Sequence, residues 1–422
     1  MEIFNFFILI IAILIVGYFL KKQYDTKVVL LSAGVFMAII SLNPMMALNA
    51  FADAMTTGGL IQVICSVIGF TEVMKITGCD KHLFNLLGDI LKKTGIFLIP
   101  ASTLLTFSIN IALPSASGCA AALGSILIPL LIHSGVKPVM AATAILLGTY
   151  GSVLSPGLAS NILIAELANI SVLEVINNHK IAVLFSILIA SLTLGALAVY
   201  LEEHKGYVSD NESFKIDKKI KVNFLFASIN LIPLFIIILG FSGLVPSLKM
   251  GVAQAMLLGV FIAVILTRSS PTVVSKKFFD GMGSAYSNIL GIIIAATVFV
   301  SGLKSLGIEE LFIDFMISNP SIAPIGGTLG PFFLAIVTGS GDVAALAFNQ
   351  SLLPFSESFG MSIEDMGSLS AISGAIGRTM SPLAGAAIIC AGFAKVSTLE
   401  LAKRSSFGMV LALLCIYIIL AI

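Results

Sequence analysis

Apolar runs close to the ~20 residues that cross a bilayer recur in this chain from one end to the other. Full spans read at 3–20, 28–43, 57–74, 181–201, 222–247, 250–267, 285–303 and 405–422. The composition agrees: 58% of the 422 residues are hydrophobic and 11% are charged, against roughly 25% charged in soluble domains. Mean hydropathy is +1.08. A soluble protein of this length needs far more polar surface, so the chain reads as an all-α polytopic membrane protein in a lipid bilayer.

The formal net charge of +1 gives no reason to expect a nucleic-acid partner. Cys65, Cys79, Cys119, Cys390 and Cys415 lie in or beside apolar segments without CxxC spacing, so they read as small buried hydrophobes. The start, "MEIFNFFILIIAILIVGYFLKK", lacks a basic leader and a small-residue cleavage site. It reads as a retained first span.

Four further regions are apolar but interrupted. Residues 96–132 stop at "LPSASG" (113–118), and 321–355 stop around "TGSGD" (338–342). Residues 139–170 are broken by "SPGLASN" (155–161), and 366–395 by "GRTMSP" (377–382). The long polar stretch 202–221 lies near the middle. Short matches recur at a nearly constant offset: "SVLE" (171) with "STLE" (397), and "SPGLAS" (155) with "SPLAGA" (381), both 226 apart. Lys75, Gly78, Leu83 and Phe84 answer to Lys304, Gly307, Leu311 and Phe312, 228 to 229 apart. Their order points to an ancient duplication, with a first repeat at 1–201, a cytoplasmic linker at 202–221 and a second repeat at 222–422.

Lys and Arg stay on the cytoplasmic side of short loops. Lys21, Lys22 and Lys27 place the loop 21–27 inside and the N-terminus outside. Lys75, Lys81, Lys92 and Lys93 bring 75–95 back inside, so 96–132 must enter and leave on that side as a re-entrant hairpin. Lys137 and the basic Lys215, Lys218, Lys219 and Lys221 also fall inside. Glu309, Glu310 and Asp314, then Glu357, Glu364 and Asp365, make the matching loops of the second half acidic and outside. Lys395, Lys403 and Arg404 end inside. The expected fold is an inverted repeat of two five-span halves, each with a re-entrant hairpin and a broken helix. Secondary transporters are commonly built this way.

Non-helical backbone at membrane depth survives only inside protein or beside a water-filled cavity. The tips at Ser115, Ala116 and Ser117, and at Thr338, Gly339, Ser340, Gly341 and Asp342, are therefore expected to face a site, as are the two breaks. Helix N-termini at such breaks suit anions. Unwound carbonyls and Ser, Thr or Asn oxygens suit a small cation. Arg378 in the second broken span costs roughly 2.5–3.5 kcal/mol to insert, which either a substrate carboxylate or Asp342 would offset. Asp342 itself is open to pairing with Arg378, holding a cation or carrying a proton. Glu166 reads as a proton or cation site, or as an interfacial carboxylate.

An intramembrane aspartyl protease needs two membrane aspartates sharing a proton. The only Tyr-Asp pair, Tyr24-Asp25, lies between basic residues in a loop. A serine nucleophile in "SASG" needs a histidine, and His82, His133, His179 and His204 are expected at loop or span edges. No general base follows, so no enzyme is expected. No Gly-x4-Gly-Lys loop appears either, so the drive is a gradient or exchange, and no cofactor is implied.

"VSGLKSLGI", "VTGSGDVAALAF" and "GAIGRTMSPLAGAAIICAGFAKVSTLELAKRSS" resemble the DcuC-type anaerobic C4-dicarboxylate carriers of the ion transporter superfamily. The resemblance is specific over about 294–408, and "SPGLASNILIAELANISVLEV" fits the same pattern. It implies a bacterial inner-membrane homodimer that exchanges or exports succinate, fumarate, malate or aspartate by an elevator-like movement. It also implies ligand and coupling ion between the tips and the breaks, here Ser115 to Ser117, Thr338 to Asp342, Ser155 to Asn161 and Gly377 to Ser381. Asp342 stands where the nearest dicarboxylate carriers are expected to have asparagine, which favours a cation- or proton-linked carrier.

The resulting expectation is a ten-span, two-hairpin secondary carrier of small organic anions. Arg378 and the tip N–H groups would hold carboxylates. Ser115, Ser117, Ser155, Asn161, Thr338, Ser340, Thr379 and Ser381 would complete the lining. A coupling ion, Na⁺ or H⁺, is open beside pure exchange, with Na⁺ expected near Ser117, Asn161, Ser340, Asp342 and Thr379. The rivals are an amino-acid or other organic-anion carrier of the same fold, and a gated anion channel.

Overall fold

The computed structural model describes residues 24–56, 58–83, 95–208, 222–241, 245–307 and 322–421, with isolated positions 8, 11, 12, 15, 16, 18, 19, 22 and 86. Most of the expected first span (3–20), Lys21, Lys92 and Lys93, the basic part of the linker (209–221), and Glu309, Glu310 and Asp314 lie outside the described residues.

The first half runs α1 (Thr26–Ile40), α2 (Pro44–Ala54), α3 (Gly58–Thr77), α4 (Leu98–Ala112), α5 (Ala116–His133), α6 (Pro138–Gly148), a 3-10 turn (Gly151–Leu154), α7 (Ala159–Ala168) and α8 (Val172–Tyr200). The second runs α9 (Phe224–Ile229), α10 (Ile232–Phe241), α11 (Val252–Thr267), α12 (Pro271–Ala285), a π turn (Tyr286–Leu290), α13 (Gly291–Ser305), α14 (Ala323–Thr338), α15 (Gly341–Leu352), α16 (Ile363–Met380), α17 (Gly385–Ala394) and α18 (Thr398–Ala421). Among the described residues no strand forms. Five stretches there are long and apolar enough to cross a membrane: 116–133, 138–168, 172–200, 363–394 and 398–421.

Three elements differ from the sequence expectation. The span expected at 222–247 splits into α9 and α10, because Pro233 in the first turn of α10 has no N–H to carry the helix back onto Ile229; Asn230 at the junction donates to the Cys79 carbonyl (2.8 Å). The span expected at 285–303 continues a preceding helix, α12, through the π turn. Lys27 Nζ donates to the Ser287 carbonyl in that turn (2.9 Å). The second break begins at Ser381, since α16 remains helical through Gly377 to Met380.

Both breaks follow from Ser-Pro. Proline pushes the residue before it out of the helical region, and Ser155 (φ −89, ψ 132) and Ser381 (φ −79, ψ 126) are both extended. The helices that resume after the breaks end on left-handed residues, Asn169 (φ 54) and Lys395 (φ 56). Each of these pairs is separated by 226 positions (381 − 155 and 395 − 169). The packing repeats too. A Cβ on Gly151 would lie 2.2 Å from the Phe107 carbonyl oxygen, and one on Gly377 would lie 2.2 Å from that of Phe332.

At the centre, α6 is buried all round from Met140 to Gly148, and α5 from Gly118 to Ile126. A helix apolar on every face belongs in a core. α5 packs on α17, α4 on α6, and α14 and α15 both pack on α16. α8 and α18 cross beside them, and α1 with α13, and α3 with α11 and α12, form the remainder. Cys65, Cys79, Cys119 and Cys390 are buried, while Cys415 is half-buried.

Arg404, on α18, closes one end by gripping Glu203 with Nε (3.1 Å) and Nη2 (2.9 Å). Glu203 is only 6% exposed. Removing one charge of such a pair leaves the other poorly solvated. Glu203→Gln is expected to cost about 1–3 kcal/mol, read as a lower thermal midpoint in detergent, with Arg404→Lys in between.

Candidate functional site

The chain turns sharply at two hairpin tips. α4 ends at Ala112, and Ser115 caps α5 by accepting from the Gly118 N–H (3.1 Å). α14 ends at Thr338, and Gly339 caps it with φ +74, a left-handed geometry suited to glycine. Ser340 then caps α15 by accepting from the Val343 N–H (3.4 Å). Asp342 stands in the first turn of α15, where the helix dipole favours a negative charge.

These tips meet. A cavity of about 310 Å³ is lined by Pro114, Ser115, Ala116 and Ser117 from the first tip and by Gly339, Ser340, Gly341 and Asp342 from the second. Ser152 from the first broken helix, and Arg378, Gly385 and Ala386 from the second, complete it. Contacts are close around the rim. A Cβ on Gly385 would lie 2.7 Å from Ser117 Oγ, and one on Gly339 would lie 2.8 Å from the Leu383 backbone. The volume is at the small end of ligand pockets and suits a molecule of a few heavy atoms.

Arg378 is 8% exposed. Its Nη2 donates to the Thr149 carbonyl (2.8 Å) and Nη1 to Thr149 Oγ1 (3.3 Å). Thr149 caps the C-terminal end of α6, so the guanidinium of one broken helix sits on the terminal carbonyl of the other. It is also in the last turn of its own helix, where the dipole favours a cation. Among the described residues no carboxylate lies within 4.0 Å of it, although Asp342 lines the same cavity.

Of the residues expected in the lining, five stand behind it with their polar groups committed to nearby backbone. Thr338 Oγ1 donates to the Leu334 carbonyl and Thr379 Oγ1 to that of Ile376. Ser155 Oγ accepts from the Gly157 N–H and Ser381 Oγ from that of Leu383. Asn161 is fully buried and donates to the Val153 and Ser155 carbonyls, while its Oδ1 has no hydrogen-bond partner among the described residues. Of the five residues named for Na⁺, Ser117, Ser340 and Asp342 line the cavity, and Asn161 and Thr379 do not. Glu166 is exposed on α7, apart from the lining.

Three residues that the sequence reading does not name, and one that it places elsewhere, shape the site. Ser152 occupies the position that the 226-residue offset assigns to Arg378 (378 − 226 = 152), so the repeat itself was the signal for it. Asn110 clips the first tip to the first break: it donates to the Leu113 carbonyl (2.9 Å) and accepts from the Ser152 N–H (2.7 Å). Thr149 holds the arginine. His179, expected at a span edge, is fully buried within α8. Its Nε2 donates to the Val153 carbonyl (3.0 Å), so a neutral ring accepts at Nδ1 from Ser368 Oγ (2.9 Å).

A second cavity, of about 410 Å³, follows the same helix pair further along. Ser125 of α5 and Gly392 and Phe393 of α17 line it, with Lys75, Asp80 and Lys395. Ser125 is eight residues, about 12 Å of helix, beyond Ser117.

A family model described as the C4-dicarboxylate anaerobic carrier, DcuC, matches residues 4–422. A Haemophilus influenzae protein named as an uncharacterized transporter is 42% identical over 271 residues, covering 62% of this chain and 97% of its own length. The anaerobic C4-dicarboxylate transporter DcuC of Escherichia coli K12 is 23% identical over 384 residues, covering 86% of this chain and 80% of its own. Among solved structures, the antimetabolite efflux pump MtrF of Neisseria gonorrhoeae aligns over 89% of this chain and 83% of its own, at 16% identity and a TM-score of 0.41. Matched over nearly its whole length, the chain is a multi-pass membrane protein that belongs to the DcuC family of transporters, not a family of enzymes.

Proposed function

We propose that this protein is a secondary carrier of small organic anions, C4-dicarboxylates foremost, working by exchange or with a coupling cation. One observation carries the reading. A buried guanidinium faces a small polar cavity walled by two hairpin tips, with no carboxylate of the described residues within 4.0 Å. A desolvated cation needs an offsetting anion, and the fork of Arg378 keeps three of its five N–H donors beyond the two given to Thr149. The N-termini of α5 and α15 aim further N–H groups at the same space. One carboxylate would take the arginine and the other a helix N-terminus. A coupling cation would draw on Asp342 and the tip hydroxyls.

The rest of the reading is built on the repeat. Residues 1–201 and 222–422 form two copies of opposite orientation joined by the linker 202–221, giving ten spans and two re-entrant hairpins with the N-terminus outside. The paired Ser-Pro breaks and paired glycine–phenylalanine contacts support that duplication. The setting is a bacterial inner membrane, the working form a homodimer, and the movement elevator-like.

Counterflow in proteoliposomes tests the proposal. Internal unlabelled fumarate should drive transient accumulation of labelled succinate above its equilibrium level, with saturation. Flux that rises linearly with gradient and ignores the internal substrate would instead mark an anion channel.

A further inference from the structure

The cavity carries charges of both signs. Arg378 and Asp342 line the same 310 Å³ without pairing: among the described residues no ion pair within 4.0 Å involves either side chain. Arg378 is instead tied to Thr149. Asp342 is exposed and sits in the first turn of α15. A plain dianion would therefore meet one attractive and one repulsive charge in the same cavity. Like charge at close quarters acts as discrimination against the wrong ligand.

We propose that the site selects a C4-dicarboxylate that also bears an ammonium group, an α-amino dicarboxylate, with Arg378 receiving a carboxylate and Asp342 the ammonium. This inference rests on the carrier reading and names its preferred cargo. The three charged groups of such a substrate then match three features: the guanidinium, the Asp342 carboxylate, and the N–H groups that open α5 behind Ser115. The small, hydroxyl-bearing walls at Ser117, Ser152 and Ser340 leave room for the substituent. A hydroxyl in place of the ammonium keeps the size but loses the ion pair. L-Malate, in which an uncharged hydroxyl replaces the ammonium, is thus the appropriate comparison for L-aspartate.

The test uses the full chain in proteoliposomes, with labelled L-aspartate, L-malate and succinate measured in parallel. The wild type should carry aspartate with kcat/KM at least tenfold above malate and succinate. In Asp342→Asn that aspartate-to-malate ratio should fall at least tenfold, and Asp342→Glu should recover part of it. A wild type that carries malate or succinate as well as aspartate overturns the inference and leaves the carrier reading standing. So does an Asp342→Asn variant in which all three substrates fall together while a Na⁺ dependence disappears, since Asp342 would then hold the coupling cation. If none of the three is carried, the carrier reading itself fails. Should Asp342→Asn not fold, the wild-type comparison alone decides.

Discussion

Arg378→Ala should lower the rate of dicarboxylate counterflow at least a hundredfold, and Arg378→Lys should recover no more than a few per cent of it. Among the described residues the guanidinium is the one cation lining the cavity between the tips. Charge-assisted, two-pronged bonds to a carboxylate are among the strong polar contacts. A hundredfold loss corresponds to about 2.8 kcal/mol, at about 1.4 kcal/mol per tenfold. Lysine keeps the charge but loses the planar fork, and its ammonium has three donors to divide between the Thr149 carbonyl and a substrate where the guanidinium has five. Stability separates this role from a structural one. Alanine removes a costly buried charge and leaves one carbonyl short of a donor, two effects of opposite sign. The thermal midpoint in detergent should therefore stay within a few degrees of the wild type. A collapse of that midpoint would mean that the arginine serves the junction between the broken helices.

Gly377→Ala should have the largest effect on stability, about 3 kcal/mol, with Gly151→Ala close behind. In each case the new methyl carbon would lie 2.2 Å from a backbone oxygen, that of Phe332 or Phe107. Backbone cannot swing aside as a side-chain tip can, so whole helices must part, and overpacking of this kind costs 1–3 kcal/mol or more. Gly283→Ala is the control. It lies in α12 with nothing within 4 Å of its Cβ position, and alanine improves a helix by up to about 1 kcal/mol over glycine. Thermal unfolding of the three variants should order them Gly283→Ala, then Gly151→Ala, then Gly377→Ala. Equal midpoints would mean that the close helix contacts at the two breaks are not maintained in the membrane protein.

The interruptions were legible because their causes are local. Gly339 turns the second tip by its positive φ, Ser115 and Ser340 cap the helices that follow, and proline at 156 and 382 forces the breaks. Arg378 and Asp342 stood out because charge is rare in an apolar run. The partners of those groups were not legible. Thr149 binds Arg378 across 229 positions and Asn110 meets the Ser152 N–H across 42, and neither spacing has a period. His179 looked like an edge residue because polar Asn177, Asn178 and Lys180 surround it. Only the packing of α8 against α16 and the first break buries it. The division of α9 from α10 had a local sign in Pro233, whereas the partner of the Asn230 amide at that junction, the Cys79 carbonyl, is 151 positions away. Hydroxyls posed the converse problem. Thr338, Thr379 and Ser381 occur in the right segments but turn to their own backbone, a choice that spacing does not reveal.

Substrate protection of the two tips tests the central claim most directly. Ser117→Cys and Ser340→Cys, each in a background freed of the five native cysteines, would be labelled with a small thiol reagent while dicarboxylate or amino-dicarboxylate is titrated. If both serines wall one anion pocket, both thiols should be shielded at the same substrate concentration, and adding Arg378→Ala should abolish the shielding of both. Labelling of either thiol that ignores saturating substrate would contradict the account.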